Sequence, residues 1–208
     1  VAIDSWDDAI DTYNHNRKNK VGVSMDITEF NDELLPNILN EHKIDGIIGG
    51  PPCQGFSSAR LSNATEKIGK VNESRNHLYL EFFRTVDIVR PNFFLIENVR
   101  GLVSANKGAF VKDITERFGG IGYNVSYKIL NASDYGVPQN RQRVFFIGLL
   151  EGEFEFPEKF EYQVSTKEAI MDLIHSNGTD AQKYSSPSKN EYQKLMRNGK
   201  KIVKNHEV

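Results

Sequence analysis

Ile47-Ile48-Gly49-Gly50-Pro51-Pro52-Cys53-Gln54-Gly55-Phe56-Ser57 is the stretch on which the fold turns. An apolar run stops abruptly against two glycines and two prolines. The run reads as a buried strand, and Gly-Gly-Pro-Pro as the rigid turn that ends it. Cys53 is the only cysteine in the 208 residues. It stands in a stiff loop at the carboxyl end of a strand, the edge of an open α/β sheet where ligands gather. A lone cysteine is commonly a small buried hydrophobe. Its place in a loop, outside any apolar period, leaves a nucleophilic role equally open.

Upstream of this loop, Val1-Ala2-Ile3 and Val21 to Met25 read as strands ending at Asp4 and Asp26, and Ile44 to Ile48 as the strand entering the loop. Ala9, Ile10 and Tyr13 fall at helical spacing, with Ser5 as the expected cap. Leu34, Leu35, Ile38 and Leu39 predict a second helix, with Pro36 in its first turn. Downstream, 57–76 is polar and structure-poor, a length typical of functional lids. His77 to Val89 is amphipathic, with Leu78, Phe82, Val86 and Val89 on one face, and Pro91 ends it. Asn92 to Ile96 predicts a strand followed at once by Glu97-Asn98. Phe110, Ile114 and Phe118 mark a helix closed by Gly119-Gly120. Val125 to Leu130 and Val144 to Leu149 are two further strands, and Ser165 to Ile174 a short helix. Strands alternating with helices predict an α/β fold with a mainly parallel sheet covered on both faces. The last two strands have no helix between them, which predicts an antiparallel edge hairpin.

The length suits one domain with a real core. With 38% hydrophobic and 26% charged residues the composition is that of an ordinary soluble protein, and no apolar run approaches the ~20 residues of a membrane helix. A single cysteine makes no internal disulfide, which favours a reducing, intracellular setting. The formal net charge of −2 provides no global basic field, so nucleic-acid contacts would use local clusters. The chain opens on Val1 inside an apolar segment and closes on Val208 without a stop signal, and the expectation is a piece of a longer protein.

Asp4, Asp26, Cys53 and Glu97 all fall at predicted strand ends, and a parallel sheet brings such ends to one crevice. Asp4 fits the acid that holds ribose hydroxyls, and equally a carboxylate at a helix start. Asp26-Ile27 suits an adenine amino group, and Asp26 equally a local cap. Trp6 is a base-stacking candidate, though a lone tryptophan is more often core. A thiolate at Cys53 needs nearby cations, for which Arg141 and Arg143 are candidates. With Gln139 they alternate on one strand-like face. Glu97, after four apolar residues, is expected to be half-buried and able to carry a proton at neutral pH. No His/Cys cluster suggests a metal.

These residues resemble the cytosine-C5 DNA methyltransferases. The family's Pro-Cys-Gln motif with Gly-Phe-Ser after it stands at Pro51 to Ser57. Its Glu-Asn-Val motif stands at Glu97-Asn98-Val99, and its Gln-x-Arg-x-Arg motif at Gln139 to Arg143, in the family's order. The resemblance covers residues 1 to 150 well, and Glu191 to Arg197 looks like the lead-in to the target-recognition region. The family's Phe-x-Gly-x-Gly loop and its late motifs have no counterpart in the 208 residues.

The resemblance implies an S-adenosylmethionine-dependent, Rossmann-like methyltransferase fold whose first strand is missing from this piece. It implies a partial catalytic domain over 1–160, then a linker and the start of a recognition region over 161–208. S-adenosylmethionine is the implied cofactor, bound by Asp4, Ser5, Trp6, Asp26, Ile27, Pro51 and Leu78. Double-stranded DNA is the implied partner, contacted by Gln54, Gly55, Ser57, Arg60, Asn98 and Gln139. Cys53 would add to carbon 6 of a flipped cytosine, Glu97 would protonate N3, Arg143 would hold the ring carbonyl, and Arg141 would support the Cys53 loop. The implied setting is a monomeric bacterial modification enzyme in the cytoplasm, or a nuclear one in a eukaryote. The piece alone is expected to be inactive. A transfer-RNA cytosine methyltransferase is the rival of the same fold, but the Cys-Phe-Thr signature of that subfamily is absent from these residues. A non-catalytic, methyltransferase-like regulator is the rival of another class, and intact Cys53, Glu97 and Arg143 speak against it.

Overall fold

The computed structural model describes residues 1–30, 43–52, 73–171, 182–183, 187–197 and 202–203. The predicted helix around Leu34 to Leu39 and the polar stretch 57–72 lie outside them. The chain forms two compact units, Val1–Ile129 with Arg143–Phe156, and Leu130–Gln142 with Pro157–Val208. The sequence reading placed its division between 160 and 161, without the excursion at 130–142.

The first unit begins with β1 (Ala2–Asp4), α1 (Asp7–His15) and β2 (Gly22–Ser24). β1 and β2 pair in parallel, Ala2 against Gly22 and Asp4 against Ser24. Asn14 ties the helix to the second strand. Its Nδ2 donates to the Gly22 carbonyl at 3.1 Å, and the Gly22 NH donates to its Oδ1 at 2.8 Å. A 3-10 turn follows at Ile27–Glu29.

β3 (Gly46–Gly49), β4 (Phe93–Val99), β5 (Asn124–Asn131) and β6 (Gln142–Leu149) form a second sheet in the order β3-β4-β6-β5. β3 and β4 are parallel, and β6 runs antiparallel to β4. The fold is the expected α/β type, with two qualifications. Among the described residues the strands make separate sheets, not one continuous sheet. The antiparallel strand is β6, inserted between β4 and β5, so that β5 forms the edge.

Between β3 and β4 runs α2 (Glu73–Val89), which starts four residues before the predicted His77. After β4 come two short 3-10 turns and α3 (Ala109–Gly120). The core joins α2 and α3 to one face of the sheet. Tyr79, Phe82 and Val86 meet Phe94, Ile96, Ile114, Phe118, Val144 and Phe146. Ile114 and Phe118 occupy the predicted apolar stripe of α3. The glycines behave differently from the expectation, because Gly119 and Gly120 are the helix's last residues. The left-handed turn falls on Gly122, at φ +92, where the absence of a Cβ removes the steric penalty.

The second unit holds α4 (Thr166–Ile170), β7 (Gln182–Lys183), α5 (Glu191–Arg197) and β8 (Ile202–Val203). Ser165 and Glu168 form a reciprocal capping box at the start of α4. Gln193, on α5, is buried and reaches α4. It accepts the Lys189 NH at 2.7 Å and donates to the Glu168 carbonyl at 2.6 Å. Asp134 accepts the Lys159 ammonium at 2.7 Å in the same unit.

Candidate active site

A cleft of about 720 Å³ opens in the first unit, lined by β1, the segment Met25 to Phe30 after β2, β3 with the loop after it, and α2. This volume lies within the ~300–1,000 Å³ of small-molecule sites. Asp4, Ser5, Asp26, Ile27, Pro51 and Leu78, all expected at the cofactor, line it together. They come from four separate chain segments, and the strand-end rule accounts for their convergence.

Trp6 is not among the described lining residues. It is 66% exposed, which overturns the core reading of this side chain. The Ser5 cap is also overturned. The residue preceding α1 is Trp6, with no side-chain cap. Asp4 instead accepts the Trp6 NH on Oδ1 at 2.9 Å, and Asp7 and Asp8 complement the positive helix end.

Asp26 takes the cap that the sequence left open. Its Oδ1 accepts the Thr28 NH at 2.9 Å and the Thr28 hydroxyl at 2.7 Å. These bonds, that from the backbone NH foremost, hold the carboxyl below its ordinary range. The bonds leave the side chain exposed on the cleft, so capping and ligand contact are compatible.

The α2 stripe serves two surfaces. Phe82 belongs to both, Tyr79 and Val86 go to the core, and Leu78, Thr85 and Val89 line the cleft. The predicted single face of Leu78, Phe82, Val86 and Val89 is corrected on this point. Val86 is fully buried while Leu78 is half-buried.

The loop after β3 leads from the cleft to the acid. Glu97 and Asn98 lie within β4, not beyond its end as expected. In register, however, Gly49 of β3 pairs with Ile96, so Glu97 is the first residue past the end of the parallel partner. Gly50 stands beside it, and a Cβ placed on Gly50 would lie 3.6 Å from both the Glu97 carbonyl and Oε2. Glu97 is half-buried, as expected. Its Oε1 lies 3.0 Å from Arg143 Nε. Asn98 faces inward and is 6% exposed. Its Nδ2 donates to the Pro51 carbonyl at 2.9 Å, while its own Oδ1 accepts the Val99 NH at 2.8 Å. Through the bond to Pro51, Asn98 braces the loop after β3, a contact that the sequence, which points to Asn98 only as a substrate contact, does not announce.

Cys53, Gln54, Gly55, Ser57 and Arg60 lie outside the described residues. Gln139 and Arg141 belong to the second unit, and both are exposed. The Gln139 NH donates to the Val137 carbonyl at 2.7 Å, and β6 begins only at Gln142. The expected alternation of Gln139, Arg141 and Arg143 along one strand face therefore fails before Arg143. Among the described residues no three His, Cys, Asp or Glu side chains gather as metal ligands. No described helix is long and apolar enough to cross a membrane.

Sequence reading missed Phe30 and Thr85, which line the cleft, and Arg84, which binds the turn carrying Asp26. Glu81-x-x-Arg84 in an amphipathic helix reads as an ordinary surface pair, and nothing local announces a long-range bond.

The donor set can accept hydroxyl and amino groups of a small ligand with an apolar part. Two carboxylates, Asp4 and Asp26, stand beside apolar walls from Ile3, Ile27, Phe30 and Phe82. The fold and cleft define an α/β protein with a small-molecule site at its strand ends.

A family model for C-5 cytosine-specific DNA methylase matches residues 1–208, and the chain belongs to that family. Type II methyltransferase M1.HphI of Haemophilus parahaemolyticus is 43% identical over 159 residues, covering 75% of this chain and 41% of its own. Type II methyltransferase M.DdeI of Desulfomicrobium norvegicum is 41% identical over 218 residues, covering 98% and 50%. The chain thus spans about half the length of these curated relatives. Among solved structures, a prophage-encoded E. coli protein described as a DNA modification methyltransferase superposes with a TM-score of 0.73. It is 30% identical and covers 93% of this chain and 56% of its own. The Entamoeba histolytica methyltransferase EhMeth shares the fold, with a TM-score of 0.61 at 21% identity over 79% of this chain and 49% of its own.

Proposed function

We propose that the protein is a DNA cytosine-5 methyltransferase that uses S-adenosylmethionine. The observation that carries this reading is the junction of Gly50 with the Glu97–Arg143 pair, at the cofactor-type cleft and just before Cys53. Asp4, Ser5, Asp26, Ile27, Pro51 and Leu78 would hold S-adenosylmethionine. When bound, it supplies the electrophilic methyl group that carbon 5 of the target cytosine accepts.

The chain's own residues prepare that carbon. Cys53, as thiolate, forms a bond to ring carbon 6 of a cytosine flipped out of duplex DNA, because chemistry on a stacked base is blocked. Glu97 carries a proton to N3, which draws electron density out of the ring as sulfur adds. Arg143 donates to the ring carbonyl oxygen and compensates its developing charge. Arg141 supports the Cys53 loop. Asn98 holds that loop through Pro51. Solvent water then takes the carbon-5 proton, the carbon–sulfur bond breaks to return the thiolate, and N3 gives its proton back to Glu97, which restores the neutral aromatic ring. The relatives are type II methyltransferases, and the matching role is modification of double-stranded DNA in a bacterial cytoplasm by a monomeric enzyme. In this reading 1–160 is the partial catalytic domain, and 161–208 is a linker and the start of the target-recognition region.

The test uses the whole protein. DNA carrying 5-fluorocytosine has no carbon-5 proton to lose, so the Cys53 adduct should persist and survive denaturation. Cys53→Ser should bind DNA, form no adduct and transfer no methyl group. Methyl transfer by Cys53→Ser would overturn the mechanism.

A further inference from the structure

We propose that Arg84 is a positioning residue for the cofactor, holding the Asp26–Phe30 turn as a fixed wall of the cleft. The inference rests on the cofactor reading above and identifies what makes that site rigid. Arg84 Nη2 donates to the Ile27 carbonyl at 3.3 Å and to the Phe30 carbonyl. Its Nε donates to Glu81 Oε2 at 2.7 Å. The guanidinium thus spans from its own helix, α2, to both ends of a turn more than fifty residues away in sequence.

The turn is gripped from two sides. Asp26 satisfies the NH of Thr28 at its start, and Arg84 satisfies carbonyls from its first residue and from the residue closing it. Ile27 and Phe30 line the cleft, and so do Phe82 and Thr85, the near neighbours of Arg84 on α2. Phe30 is only 3% exposed, so the wall is anchored in packing as well. Glu81 balances the guanidinium charge, and both side chains are partly buried, Arg84 at 33% and Glu81 at 22% exposure.

A surface pair spaced i, i+3 on a helix contributes little. Two charge-assisted bonds to backbone carbonyls are a different matter, because the planar guanidinium gives both from Nη2 while its Nε is held by Glu81, so three acceptors fix one rigid group. Lysine is a point charge on a flexible stem and does not reproduce that geometry. Arg84 touches no part of the proposed chemistry. Its effect should appear in cofactor affinity and not in the chemical step, since a pre-formed wall removes an ordering cost from binding.

In the whole protein, Arg84→Lys and Arg84→Ala should raise the KM and Kd for S-adenosylmethionine by about tenfold. At saturating cofactor, kcat and the KM for DNA should stay within about twofold. Hydrogen exchange should quicken at residues 26–30 while the amides of Phe94 and Ile96 keep their protection. If Arg84→Ala does not fold, Arg84→Lys decides. Unchanged cofactor affinity in a folded variant overturns the proposal. Weaker affinity with equal loss of protection at Phe94 and Ile96 also overturns it, because Arg84 would then serve the fold in general. Wild-type protein that binds no S-adenosylmethionine would overturn the functional reading itself, an outcome visible before any variant is compared.

Discussion

Arg143 Nε stands 3.0 Å from Glu97 Oε1 across the β4–β6 ladder. The register explains the meeting. Glu97 lies opposite Phe145, so Arg143, two residues earlier on β6, is its diagonal neighbour on the same face. The core residues Phe94, Ile96, Val144 and Phe146 point the other way. The antiparallel register of β4 and β6 therefore delivers an acid and a cation to one place. With side-chain exposures of 37% and 24% the pair is partly solvated, and its coupling should be about 1 kcal/mol or less in a double-mutant cycle by urea unfolding. The catalytic effect should be far larger. Glu97→Gln and Arg143→Ala are each expected to lower kcat by about 100-fold or more. Activity losses no greater than the stability losses would make the pair a scaffold ion pair and nothing else.

Gly148 is fixed by contact. A Cβ there would lie 2.0 Å from Phe94 Cε1, and Phe94 is fully buried with its ring 4.0 Å from that of Phe118. The ring has nowhere to go. Gly148→Ala should destabilise the protein by about 3 kcal/mol, the upper part of the overpacking range. Gly120, in the last turn of α3, has nothing within 4 Å of the same position. Gly120→Ala should be neutral or stabilising by up to ~1 kcal/mol. Urea unfolding of both variants checks the contrast, and a Gly148→Ala protein as stable as wild type would refute it.

What the sequence made legible follows from period and punctuation. The alternating strands and helices, the apolar stripe of α3 and the strand-end position of Asp4 were all readable, because each is a local pattern. Glu97 was readable as a half-buried acid, but its place inside β4 was not. The strand's length depends on β6 pairing beyond the end of β3, which no local signal in Asn92 to Ile96 reveals. The same holds for Ser5 and Asp4. Both residue types cap helices, and only the backbone geometry decides that Asp4 binds the Trp6 NH. Arg84 and the bond from Asn98 to Pro51 were missed because the partners, Phe30 and Pro51, are distant in sequence.

Tyr79 links α2 to α3. It is 3% exposed, and its hydroxyl donates to Asp113 Oδ2 at 3.0 Å, while Arg117 Nε donates to the same carboxylate at 2.8 and 2.9 Å. Burial first, and then the Asp113 charge, push the hydroxyl far above its ordinary value of 10.0. A raised value means that the folded state holds the proton more tightly than the unfolded chain. The stability from this group is therefore complete below about pH 10 and declines as pH rises beyond it. Tyr79→Phe should cost about 1 kcal/mol at neutral pH. The gap between wild type and variant should narrow in alkaline urea titrations. A constant gap across pH 9 to 11 would contradict the assignment.

Asn98 couples the catalytic strand to the loop that carries the nucleophile. Its amide NH2 meets the Pro51 carbonyl at 2.9 Å and its Oδ1 meets the Val99 NH at 2.8 Å. One planar group thus fixes the start of the Cys53 loop relative to Glu97, its own neighbour in β4. Asn98→Asp keeps the shape and the acceptor but loses the donor and places a charge where only 6% of the residue is exposed. It should destabilise the protein by about 1–3 kcal/mol. Because its main effect is on the position of the nucleophile, with Pro51 only one of the cleft's lining residues, kcat should fall about 10- to 100-fold. The KM for S-adenosylmethionine should stay within about threefold, the opposite split from that expected of Arg84. Asn98→Ala separates geometry from charge and should show the same split with a smaller stability loss. If instead both variants weaken DNA binding with kcat intact, Asn98 works at the substrate, and the brace through Pro51 is incidental to catalysis.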